Sequence, residues 1–215
     1  MIVGSIFHAL WQNILDTSWL EVVAVLLGIA SVWYARKENI LVYPTGIIST
    51  AIYVFICFGA KLYADAGINF YYAAASIYGW YAWTHPAEDG KSLEISVNGR
   101  REQWLWILVA MGSYALIFST LWIFKRGDED YMNSYLPFTD SFTTALFLVG
   151  MILMARKKVE NWIYWIIADV VSVPLYVYKG LVFTGLQYFI FLVLAVFGLI
   201  EWRRKYRLQQ EGVTV

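Results

Sequence analysis

Two stretches decide how this chain is organised: Ala35-Arg36-Lys37-Glu38-Asn39, and Ala155-Arg156-Lys157-Lys158-Val159-Glu160-Asn161. They match if two residues are inserted in the second. Each is a short polar break after a long apolar run. Further matches follow in the same order. Gly67-Ile68-Asn69-Phe70-Tyr71 pairs with Gly185-Leu186-Gln187-Tyr188-Phe189, and Gly79-Trp80-Tyr81-Ala82-Trp83 pairs with Gly198-Leu199-Ile200-Glu201-Trp202. Apolar helices match one another by chance, but three matches in one order point to an internal repeat.

The runs between the breaks are long enough to cross a bilayer, which needs about 20 mainly apolar residues. Seven windows qualify: 19–35, 40–58, 64–84, 104–124, 136–154, 160–178 and 181–201. Hydrophobic residues make up 60% of the 215, aromatics 19% and charged residues 15%, and the mean hydropathy is +0.56. An ordinary soluble domain is about 25% charged. This composition excludes a disordered chain and a nucleic-acid binder with a basic patch. A soluble helical bundle would need polar faces, which these windows lack. A β-barrel would alternate, and these runs are continuous.

Three spans per repeat would reverse direction across the membrane, and the fourth span restores it. The expected fold is all-α, with seven transmembrane helices in a 3+1+3, SWEET-like arrangement of parallel repeats. The segments are an N-terminal interfacial stretch (1–18), a first three-helix repeat (19–84), and a cytoplasmic loop, linking helix and outer loop (85–135). A second repeat (136–202) and a cytoplasmic tail (203–215) complete the chain. The net charge of zero hides an asymmetry. Lys61, Lys125, Arg126 and Lys179 fall on the N-terminal side of the spans, and the other twelve of the sixteen Lys and Arg on the opposite side. By the positive-inside rule the N-terminus is outside and the C-terminus cytoplasmic.

Polar residues within the spans are the candidate site. Trp162, Trp165, Asp169, Ser172 or Val173, and Tyr176 recur at steps of three and four, so they share a helix face. Trp162 and Trp165 suit either a stacking wall or, at Trp162, an interfacial anchor. Asp169 sits mid-span. Asn69 and Gln187 are repeat-related amides, suited to a ligand or to interhelical bonding. Thr45, Ser49, Tyr53, Tyr72 and Ser76 either line the same region or hold helices together. Pro44 and Pro174 are hinge candidates at corresponding levels of the two repeats. Glu21, Asp65 and Asp140, near span ends, read as interfacial, Asp65 and Asp140 as partners of helix N-termini. Asp128-Glu129-Asp130 reads as solvated loop, and Ser92 to Val97 as a small strand or irregular chain. Cys57 stands alone and His8 and His85 have no ligand partners, so no metal site or cofactor is expected. There is no Walker loop and no HExxH helix.

With those residues in view, the chain resembles the PnuC family of bacterial vitamin transporters, specifically its nicotinamide riboside carriers. The resemblance covers residues 19–202. It rests on Glu38-Asn39 through Tyr43-Pro44-Thr45-Gly46, on Trp162-x-x-Trp165 with Asp169, and on Gly185-Leu186-Gln187-Tyr188. It implies a homotrimer in the bacterial cytoplasmic membrane, not an enzyme. It further implies nicotinamide riboside uptake by facilitated diffusion, with trapping by a cytosolic kinase. The positions that would carry the ligand are Trp162, Trp165, Asp169, Gln187, Asn69, Tyr188, Tyr176 and Tyr72. A cationic pyridinium ring suits Trp and Tyr faces, and Asp169 would balance its charge. Other readings are a SWEET-type sugar carrier, a thiamine or riboflavin carrier, and an intramembrane lipid-modifying enzyme.

Overall fold

A computed structural model describes residues 18–60, 63–85 and 92–212. Among them run seven long helices: α1 (Trp19–Arg36), α2 (Val42–Gly59), α3 (Tyr63–Thr84), α4 (Arg100–Lys125), α6 (Leu136–Ala155), α7 (Asn161–Tyr178) and α8 (Val182–Gln210). A single turn, α5 (Glu129–Met132), lies between α4 and α6. Helices α1, α2, α4, α6 and α8 are long and apolar enough to cross a membrane. The outward faces explain this composition. Leu26, Phe55, Phe70, Leu108, Met111, Leu116 and Phe124 are all exposed, far more apolar surface than a water-facing protein carries.

The long helices pack in two groups of three with α4 apart. Helix α2 packs against α1 and α3, and α7 against α6 and α8. The two groups meet where α1 touches α8 and where α3 touches α6, while α4 lies outside against α6. The ends of α1 and α6 are built alike. Glu38 and Lys157 adopt the left-handed conformation, with φ of 58° and 51°. The amides of Glu38 and Asn39 bond the carbonyls of Ala35 and Tyr34, and those of Lys157 and Lys158 bond Met154 and Leu153. These are Schellman motifs, which satisfy carbonyls that a helix end leaves orphaned. At this end the Trp83 indole donates to the Ala155 carbonyl, and the Trp202 indole to that of Ala35, both at 3.1 Å. Each ties one group to the other. Below them lies a core of Ala35, Tyr43, Trp162, Ala195 and Trp202, with Trp83 packed on it.

Ion pairs surround this core: Lys157 and Lys205 on Glu38 (2.6 and 3.0 Å), Arg36 on Glu201 (3.3 Å) and Lys158 on Glu102 (2.9 Å). The loop before α4 is fastened beside them. Ser96 pairs with the α6–α7 turn through Ser96 N to Lys157 O (3.0 Å) and Val159 N to Ser96 O (2.9 Å), and Ile95 is buried in the core. So Ser92–Val97 forms one isolated bridge rather than a strand.

Several expectations change. The proline pair does not sit at one level. Pro44 is the third residue of α2, in the first turn, where no intrahelical N–H is needed and no kink results. Pro174 lies inside α7, near its far end, and frees the carbonyl four residues earlier. Asp128 caps α5 by accepting from Tyr131 N, so that acidic stretch is a helical turn. Helix α8 continues through the basic segment to Gln210 instead of ending at the membrane edge. The interfacial stretch 1–17, with Lys61 and Lys91, falls outside the described residues. Ser18 caps α1, its side chain accepting from Glu21 N.

Candidate functional site

A cavity of about 770 Å³ runs through the middle of the bundle, in the size range of small-molecule sites, about 300–1,000 Å³. One end is ringed by Glu21, Asp65, Lys125, Asp140 and Lys179. The other reaches Ala35, Val42 and Met154, which border the aromatic core.

Helix α7 supplies one wall. The steps of three and four from Trp165 through Asp169 and Ser172 to Tyr176 turn all four into the cavity. Trp162 shares that face but not the cavity. It stands one turn earlier, beyond the cavity floor, fully buried among Tyr43, Ala195 and Trp202. Its ring lies over Gly198, where a Cβ would come within 2.7 Å. Tyr43 makes the same contact with Gly79, the repeat-related glycine. The first-turn aromatic of α2 and that of α7 are thus core residues. The Trp162-x-x-Trp165 pair is divided by role, with the two rings edge to face at 5.5 Å and 89°.

Asp169 is 2% exposed and Ser172 is 1% exposed. Asp169 Oδ1 and Ser172 Oγ have no hydrogen-bond partner among the described residues. Buried polar atoms are nearly always paired, and a carboxylate inside a membrane bundle faces a pathway or a partner. Both residues line the cavity.

Helix α8 supplies the facing wall through Gln187, Tyr188 and Phe191. Tyr188 stacks on Tyr176 at 4.9 Å and 11° and touches Phe147 and Phe191. Gln187 lies beside Tyr53, which also lines the cavity. From α3 come Asn69 and Tyr72. Asn69 Nδ2 is bonded to the Asp65 carbonyl one turn back at 2.9 Å. The repeat-related amides Asn69 and Gln187 therefore reach one cavity from the two halves of the bundle. Seven of the eight sequence-nominated ligand residues line it, and Trp162 does not.

Sequence reasoning missed the charged ring at the Glu21 end of the cavity. Asp140 is not a helix-terminus partner. Lys179 Nζ donates to both its oxygens at 2.6 and 2.9 Å, and the Tyr131 hydroxyl donates to Oδ2 at 2.8 Å. Lys125 lies 4.5 Å over the Tyr131 ring. Asp140 and Lys179 stand at the same end of adjacent antiparallel helices, and that opposition of charge was the available signal. Phe147 and Phe191 gave none, being indistinguishable in sequence from the other aromatics, whereas Ser49, Tyr53 and Ser76, named from the sequence as lining or structural residues, do line the cavity.

An apolar helix bundle with a polar, aromatic-lined cavity through its centre is the architecture of a multi-pass membrane transporter. The chain belongs to the family described as nicotinamide mononucleotide transporter, which matches residues 18–204; it is a transporter family and not an enzyme family. The nicotinamide riboside transporter PnuC of Escherichia coli (strain K12) is 30% identical over 206 residues, covering 87% of this chain and 86% of that one. The riboflavin/roseoflavin transporter RibM of Streptomyces davaonensis is 29% identical over 188 residues, covering 86% and 84%. A crystal structure of the vitamin B3 transporter PnuC shares the fold, with a TM-score of 0.67 at 21% identity over 94% of this chain and 90% of that one.

Proposed function

We propose that this protein carries nicotinamide riboside across a membrane, down its gradient. The single observation behind this reading is the buried, unpartnered Asp169 carboxylate beside Trp165 in an aromatic-lined cavity. A pyridinium nucleoside brings what those groups lack: a positive charge for the carboxylate, a flat cationic ring for Trp and Tyr faces, and amide and hydroxyl groups for Asn69, Gln187 and Ser172. The charge of the lining supports the riboside over its phosphorylated form. Glu21, Asp65, Asp140 and Asp169 face the cavity against Lys125 and Lys179, and Lys179 is already held by Asp140. A phosphate entering would meet excess negative charge.

In this reading the seven long helices are seven spans in a 3+1+3 arrangement, with α1–α3 and α6–α8 as parallel repeats and α4 as the linker. The N-terminus lies outside and the C-terminus in the cytoplasm, so the ion-paired indole core closes the cytoplasmic end of the cavity. Release inward then requires the two groups to part at Trp83–Ala155 and Trp202–Ala35, with Pro174 available as a flexure. The working form is a homotrimer, and phosphorylation of the imported riboside by a cytosolic kinase keeps it inside. A flavin carrier is the second reading, favoured by the similarity to RibM.

The deciding experiment is a binding panel on purified protein: nicotinamide riboside, nicotinamide mononucleotide, thiamine, riboflavin and glucose. Vesicle counterflow with the ligand that binds comes next. The expected result is binding of the riboside alone and counterflow without an imposed ion gradient. Riboflavin binding without riboside binding would replace the first reading with the second.

A further inference from the structure

We propose that Gly150, in the C-terminal third of α6, is a positioning residue that sets the pose of Trp165 and so the width of the cavity available to a flat ring. The inference rests on the ligand reading above. Glycine in a helix interior costs about 0.5–1 kcal/mol relative to alanine, so its presence there has a packing or functional reason. Backbone freedom is not that reason, because Gly150 does not adopt a positive φ.

The reason is Trp165. A Cβ at position 150 would lie 2.3 Å from its Nε1 and 2.4 Å from its Cδ1. The indole edge therefore rests directly on the α6 backbone. Behind it stands Trp162, edge to face at 5.5 Å. Trp162 cannot yield: it is fully buried, it covers Gly198, and it meets Trp202 at 5.5 Å. With Trp162 behind it, an indole pushed off residue 150 shifts toward the cavity that Trp165 lines. Residue 150 thus fixes how far the ring projects, and a methyl group there would narrow the space that a flat ligand ring needs beside it.

The test uses the full chain in detergent and the variants G150A, W165F and G150A/W165F, titrated calorimetrically with nicotinamide riboside. G150A is expected to weaken binding by about tenfold or more, equivalent to about 1.4 kcal/mol. In the W165F background the same glycine change should weaken binding less, since phenylalanine has no counterpart of Nε1, the atom nearest residue 150. Wild-type affinity in G150A overturns the proposal, as does an undiminished loss in the W165F background. A second readout needs no ligand. The exciton couplet of the Trp162–Trp165 pair, isolated as the wild-type minus W165F circular dichroism difference, should change in G150A, and an unchanged couplet also overturns it. If the wild type binds no riboside, the ligand reading fails while the couplet still decides the role of Gly150. If G150A does not fold, folding restored in G150A/W165F supports the role, and folding lost in both overturns it.

Discussion

Glu38 and Lys157 occupy the same place in two helix-ending turns, and their side chains meet at 2.6 Å. Each is the left-handed residue of a Schellman motif, a position that usually takes glycine because a side chain there is strained. Both carry charge instead, and the pair joins the end of α1 to the end of α6. Lys205 adds a second contact to Glu38 at 3.0 Å.

Breaking this pair should loosen the end of the bundle where the indole bonds lie. In a double-mutant cycle of E38Q and K157M, thermal unfolding in detergent is expected to show coupling of about 1 kcal/mol. Strict additivity would mean the contact contributes nothing, and the turns alone hold the ends.

Gly79 and Gly198, the glycines under the core aromatics Tyr43 and Trp162, should resist a methyl group. A Cβ at Gly79 would come within 2.3 Å of Tyr43, and one at Gly198 within 2.7 Å of Trp162. G79A and G198A are each expected to cost about 1–3 kcal/mol, the usual penalty of overpacking. G112A is the control. Nothing lies within 4 Å of a Cβ there, so helix propensity leaves stability unchanged or slightly raised. The measurement is the melting temperature of each variant.

Removing the charge of Asp169 should separate binding from stability. D169N keeps the shape but loses the counter-charge, so riboside affinity should fall by about tenfold or more. Its melting temperature should hold or rise, because an unpartnered buried carboxylate stabilises nothing in the empty protein. A destabilised variant with intact binding would make Asp169 a structural residue.

The charged ring around Asp140 and Lys179 should show itself at alkaline pH. Tyr131 lies in α5, outside the long helices. Burial first, and the adjacent Asp140 carboxylate next, hold its phenol well above the ordinary value of 10.0. The folded protein therefore binds this proton more tightly than the unfolded chain. The resulting stability is whole below the ordinary pKa of 10.0 and is lost as pH rises through the folded value. Y131F should flatten the alkaline limb of melting temperature against pH, and an identical limb in both proteins would remove Tyr131 from the account.

Much of the bundle was legible before any coordinates. Each of the seven apolar windows falls on one long helix, because a continuous apolar run of that length has to satisfy its own backbone in lipid. The likeness of the two helix-ending turns was readable from Glu38-Asn39, Trp83 and their counterparts, since helix ends and ring-bearing turns are local chemistry. Helical periodicity placed Trp165, Asp169 and Tyr176 on one face, and they do share the cavity.

What periodicity could not supply was depth. Trp162 and Trp165 share a face of α7, yet one turn of rise puts the first in the core and the second in the cavity. That division depends on where Gly198, Gly150 and Trp202 stand on other helices. Pro44 and Pro174 looked equivalent until helix starts fixed one in a first turn and the other in an interior. Asp140 looked like a helix-end residue until α7 delivered Lys179 to it. The sequence by itself determined the helices, the paired helix-ending turns and the class of protein, because these follow from hydropathy, period and local turn chemistry. Only the tertiary structure decided which aromatic faces the cavity and which lies beyond its floor, because that depends on contacts between residues far apart in the chain.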